Sequence, residues 1–257
     1  MPVQLPDMTA PPVAEVVCGI FFAPLFALDA LTLGAYWGSR RKHFPIRRVL
    51  SAVTDEEGIL LGDLPPLRSW MVSESGEYLL QLQQDRFYLN WRAGKDRKYP
   101  RFQDTNGRPG IVSLVQEEFE RFGEFCEREA GERPTIVTAD LAKINLLVES
   151  IHWRTLGDIS RLLPLVASYG SIMEAELPNF NVRLLDKDNW SNTVTVMSGR
   201  EVEGEKRRLV RLEIRARRDA SGSSAIDALT RLNEDINGLF ARLIPQSEMK
   251  ARFGGEP

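Results

Sequence analysis

Histidine and cysteine are nearly missing from this chain, with two of each in 257 residues. Cys18 and Cys126 lie far apart and neither belongs to a CxxC or Cys/His cluster, which argues against a disulfide framework and a structural zinc site. His43 and His152 stand without a neighbouring carboxylate or nucleophile motif, so a hydrolase triad has no support and both read as structural. No GxxxxGK[ST] or GxGxxG opens a helix after a strand, and HExxH is missing, so neither a phosphate cradle nor a catalytic zinc is legible. Asp186 and Asp188 could be a DxD metal pair, but with Lys187 and Asn189 they make a better hairpin tip.

Long apolar runs are lacking too. The stretch from Val16 to Leu28 is interrupted by Pro24 and is shorter than the ~20 residues a membrane helix needs, and the N-terminus has no basic leader. These absences lead to the expectation of a cytoplasmic, non-enzymatic protein that uses no cofactor and no metal and does not enter a membrane. Charge of a single sign does not dominate either: 33 basic against 36 acidic residues leave a net charge of −3. Any nucleic-acid site would therefore have to be a local patch.

What is present is a globular composition, 43% hydrophobic, enough for one large core or two small ones. "VAEVVCGIFF" predicts a buried strand, followed by a helix from about Ala27 to His43 with Asp29 in its first turn and Arg40, Arg41 and Lys42 in its last. "IRRVLSAV", "RSWMVSES", "EYLLQLQQ" and "RFYLNWR" read as strands, the later ones joined by turns at Ser75-Gly76 and Gln84-Asp85. In "RFYLNWR", Phe87, Leu89 and Trp91 take one face and Arg86, Tyr88, Asn90 and Arg92 the other. Ile111, Val115, Phe119, Phe122 and Cys126 then recur at helical spacing, with the glutamates between them as a solvated face, and Gly131 closes the helix.

The order then begins again. "TIVTADLAKINLLV" is strand-like, "TLGD" matches a capping box before a short helix, and "AELPNFNVRLL", "SNTVTVMSG" and "KRRLVRLEIRARR" form a meander. A last amphipathic helix starts near Ser224 and ends at Pro245. The fold class expected is α+β, two similar halves, residues 1–131 and 132–257, each a β-α-β-β-β-α unit in which a long amphipathic helix packs on an antiparallel sheet. Whether the halves keep separate sheets or share one continuous curved sheet stays open.

Only the basic positions rise above this background. Alternation in the last strand places Val210, Leu212, Ile214 and Ala216 on one face and Arg207, Arg211, Arg215 and Arg217 on the other. Such a row can track a phosphate backbone, or can cover the sheet with arginine stems paired to neighbouring acids. A second basic patch is "NWRAGKDRKYPRF", where Arg92, Lys95, Arg97, Lys98 and Arg101 would line a loop edge while Trp91, Tyr99 and Phe102 anchor it to the core.

The stretches "PPVAEVVCGIFF", "NWR" followed by "YPRF", and "ALTRLNEDINGLFARLIPQSEMKARFG" resemble a sporadically distributed bacterial family of about 260 residues and uncharacterised function. The resemblance spans nearly the whole chain. It implies no catalytic residue, and it suggests a mobile-element, toxin–antitoxin or phage-defence setting. The element order is also similar to the duplicated saddle of the TATA-binding-protein fold and, less closely, to helix-grip ligand-binding domains, which are analogies of fold alone. The functional expectation is a binding or adaptor protein that engages a protein partner or itself in a homodimer. Nucleic-acid binding through the basic sheet face is the alternative, and a small-molecule or lipid pocket a further one.

Overall fold

The computed structural model describes residues 5, 8–51, 67–94, 99–105, 107–166, 179–185, 191–202 and 205–254. The chain runs through β1 (Val13–Phe22), α1 (Ala30–Arg40), β2 (Ile46–Ser51), β3 (Leu67–Val72), β4 (Tyr78–Leu82), β5 (Arg86–Arg92) and α2 (Ile111–Ala130). It continues through β6 (Ile136–Val148), α3 (Leu156–Leu162), β7 (Phe180–Leu185), β8 (Ser191–Arg200), β9 (Arg208–Asp219), α4 (Ala225–Leu243) and α5 (Gln246–Phe253). Compared with the expected β-α-β-β-β-α unit, the first stretch carries one strand more, and α5 is an additional helix. Pro245 ends α4 as expected, yet its φ of −57° also leads into α5, whose Met249 and Phe253, four residues apart, reach the core.

All nine strands lie in one antiparallel sheet, in the order β2-β3-β4-β5-β1-β6-β9-β8-β7. β1 and β6 pair at its centre, with Cys18 opposite Leu141 and Gly19 opposite Asp140. The helices pack on the face that presents Val16, Cys18 and Ile20. There Phe122 of α2 meets Phe22, Tyr36 and Phe87 at ring distances of 5.8, 5.5 and 5.8 Å, the offset and edge-on geometry that aromatic quadrupoles favour.

Local chemistry sets the helix ends. Asp29 is the N-cap of α1, accepting from the backbone N–H of Leu31 and Thr32, and those bonds hold its carboxyl below the usual range. The helix is thus shorter than expected, and its basic end tightens into a turn in which the His43 and Phe44 N–H groups bond the Arg40 carbonyl. Gly131 closes α2 with φ +79°, a left-handed conformation that costs glycine little, and donates to the Glu127 carbonyl. At α3 the anticipated capping box forms in both directions between Thr155 and Asp158. Thr155→Ala removes one half of it and is expected to cost about 1 kcal/mol, measured as a lower urea midpoint at unchanged m-value.

The α2 glutamates do not all belong to the solvated face. Glu118 is buried and pairs with the equally buried Arg40 of α1, with Arg121 approaching the same carboxylate at 3.2 Å. Periodicity alone treats a charged residue as outward-facing, whereas a partner 78 positions away reverses that.

Candidate functional site

The sheet face turned away from the helices carries the polar halves of the alternating strands. Register aligns Arg48, Trp70, Gln81, Tyr88, Gly19, Asp140, Arg217 and Ser191 in one row from β2 to β8. Gly19 is what lets the row close: a Cβ there would sit 2.4 Å from the Tyr88 ring, so only a glycine leaves room for Tyr88 to cross β1 toward Asp140. The Tyr88 hydroxyl donates to Asp140 at 3.4 Å, and burial, aided by the carboxylate, pushes this phenol up to about 12.

Asp140 is almost completely buried and collects two arginines of β9. Arg215 grips it through Nε at 2.8 Å and through its terminal nitrogen, and Arg217 stands 3.7 Å away. Phe21 lies between two guanidinium groups, Arg217 at 4.5 Å and Arg86 at 4.6 Å from the ring centre, with Arg86 also bonded to Asp85. Toward β4, Asn90 accepts from Gln81 and donates to Glu15. Arg211 pairs with Glu213 at 2.6 Å and touches Met197.

The candidate arginines therefore divide. Arg92, Arg211, Arg215 and Arg217 do share this face, joined by Arg48, Arg68, Arg86 and Arg183 from other strands. Arg207 precedes β9, bonds Glu201 in a bidentate pair and lines a different cavity, as does Arg101. Lys95, Arg97 and Lys98 lie outside the described residues, as do Asp186 and Asp188. Eight arginines against Glu15, Glu77, Asp85, Asp140, Glu213 and Asp219 leave the described part of the face with a surplus of positive charge. The aromatics of the second patch do serve as anchors: Trp91 and Phe102 are buried, and Tyr99 packs on Trp91 at 5.5 Å.

The other cavity was not legible as a site. It is an open-sided cleft of about 1680 Å³ on the helix side of the sheet, walled by Leu5, Met8–Val13, Tyr99–Thr105, Arg108, Pro109 and α4. Lys143 of β6 lies at its floor, buried, with Nζ donating to Asn237 Oδ1 at 2.8 Å and 5.8 Å from the Phe102 ring. Burial lowers this amine to about 8. Nearby, Cys18 is held protonated by burial, and the buried Asn233 Oδ1 has no hydrogen-bond partner. His152 is buried at the edge, its Nδ1 accepting from the Val148 N–H, which fixes the orientation of the ring. Lys143 and Asn145 occupy the same strand face as Leu141 and Leu147, and Asn233 and Asn237 lie four apart on α4. Polar residues at core positions on two elements were the signal that could have found the cleft.

Fold and site together define an α+β protein with a nine-stranded sheet whose described helices pack on one face, an arginine-rich opposite face and a cleft on the helix side. No family model, curated protein or solved structure matches the chain. Among the described residues, no helix is long and apolar enough to cross a membrane, and no group of three or more His, Cys, Asp or Glu side chains is placed to hold a metal ion.

Proposed function

We propose that this is a non-enzymatic binding or adaptor protein that engages an acidic protein partner through the outer face of its sheet. One observation carries the reading: eight arginines gather against six carboxylates on one face of a chain whose net charge is −3. Such asymmetry steers association with an oppositely charged surface. Pairing this face with itself in a homodimer would oppose like charges, so a heterologous acidic partner is the better fit. The matching order of strand, helix, meander and helix on either side of the β1–β6 pair supports reading the two halves as copies. The setting that accompanies the proposal, taken from the family resemblance, is a bacterial cytoplasm and a mobile-element, toxin–antitoxin or phage-defence locus.

A second reading, nucleic-acid binding, is favoured by the partly exposed rings of Trp70 and Tyr88 interleaved with those arginines, a combination that can stack bases along a phosphate backbone. A triple variant, Arg48→Glu, Arg183→Glu and Arg211→Glu, spares the Asp140 network and separates the outcomes. Affinity capture by the wild-type chain, lost in the triple variant, is the expected result; undiminished capture overturns the adaptor reading. Mobility shifts with single- and double-stranded probes at low salt test the second. Affinity that falls steeply with salt supports it, and no shift with either probe eliminates it.

A further inference from the structure

We infer that the cleft between β6, α4 and the Tyr99–Thr105 stretch is a binding site for a small organic anion, its charged head against Lys143 and its apolar body along Phe102, Ile236 and Phe240. Three independent observations lead there. The first is the charge of the lining: among the described residues it holds Lys143, Arg101, Arg108 and Arg207 and no carboxylate. Arg207 is neutralised by Glu201, but among the described residues Lys143 has only the neutral Asn237 amide as its hydrogen-bond acceptor.

The second is the position of Lys143. A buried ammonium without a counter-charge is costly, and folded proteins retain one where a ligand or a reaction supplies the missing partner. Desolvation lowers this amine, yet about 8 still leaves it mostly protonated near neutral pH, ready to meet an anion. The third is the unfilled hydrogen-bond capacity beside it. Asn233 is buried with an orphaned Oδ1, and Asn145, next on the same strand face, spends its amide on the Leu212 carbonyl at 3.3 Å. The amides of Asn233 and Asn237 thus add neutral polar groups that can orient a carboxylate or phosphate and any hydroxyl near it.

The size and lining set the ligand class. A cleft of about 1680 Å³ exceeds what a bare inorganic ion fills, and its walls are apolar from Met8, Pro12 and Val13 to Ile236 and Phe240. The ligand is therefore amphipathic: a carboxylate or phosphate head on an aliphatic or aromatic body. This site is on the opposite side of the sheet from the arginine face, so it stands or falls separately from the proposed partner surface.

The experiment uses two fluorescent probes of similar shape, anionic anilinonaphthalene sulfonate and neutral phenylnaphthylamine. The wild-type chain is expected to bind both. Lys143→Met, which keeps the volume and removes the cation, should weaken the sulfonate about tenfold or more while leaving the neutral probe unchanged. Ile236→Trp, which crowds the wall assigned to the apolar body, should weaken both. Octanoate and octyl phosphate should compete with the sulfonate, and the better competitor identifies the head group. Unchanged sulfonate binding in Lys143→Met, unchanged affinity for both probes in Ile236→Trp, or competition by neither amphiphile overturns the assignment. The Arg48, Arg183 and Arg211 triple reversal should leave all of these titrations as in the wild type.

Discussion

Glu118→Ala is expected to lower the unfolding free energy by about 3–5 kcal/mol, because it strands a buried guanidinium. The Arg40 side chain is 10% exposed and that of Glu118 4%, so neither charge can recover its hydration by a small movement. Arg40 Nε also reaches Glu118 at 3.1 Å, and the guanidinium stands 5.9 Å from the Phe44 ring, which fixes its position once the carboxylate is gone. The double variant Arg40→Met, Glu118→Leu should regain most of the loss, since the pair itself repays little beyond its own desolvation. Urea denaturation of the wild type, Arg40→Met, Glu118→Leu and the double variant provides the double-mutant cycle. A single-variant loss below about 1 kcal/mol would show that the pair is solvated in solution.

Lys143→Met should act in the opposite direction. The folded amine titrates at about 8 against an ordinary value of 10.5, so the unfolded chain holds this proton more tightly than the native one. Below pH 8 the native state carries the full cost of the buried charge, roughly 3 kcal/mol at pH 7, and that cost disappears as pH rises from 8 to 10.5. The variant should therefore melt higher than the wild type at pH 7, with the gap closing by pH 10.5. An equal gap at both pH values would assign the gain to packing alone. Together with weakened binding of the anionic probe, a stabilising loss of Lys143 is the pattern of a residue kept at the expense of stability.

Alternation and helical period made most of the elements legible. β1 and β5 fall on the expected segments, the Thr155–Asp158 box and the Gly131 stop are where their chemistry places them, and the polar face of β5 is the polar face of the sheet. Local pattern could not report which strands become neighbours. That Asp140 would stand opposite both Gly19 and Arg217, drawing Arg215 and Arg217 down onto the sheet, depends on register between segments up to 121 positions apart. The same holds for Arg40 and Glu118. Arg207 was grouped with the other β9 arginines by parity, but the strand begins one residue later and Glu201 holds it aside. Lys143 was hidden for a different reason. A lone lysine in an apolar strand reads as an interruption, and it gains meaning only when Asn233 and Asn237 arrive from α4.

The central pairing of β1 with β6 bears on how the chain is made. Synthesis releases β1 first, and β5 can join one of its edges while the ribosome is still extending the second half. The other edge, from Val13 to Phe22, stays unpaired until β6 emerges more than a hundred residues later. During that interval the nascent first half presents a long apolar strand edge, with Val16, Cys18 and Ile20 at its inner face, to any neighbouring chain on the same polysome. Folding slowed at this stage, by rare codons or by loss of a chaperone, should favour strand exchange between nascent chains over completion of the nine-stranded sheet.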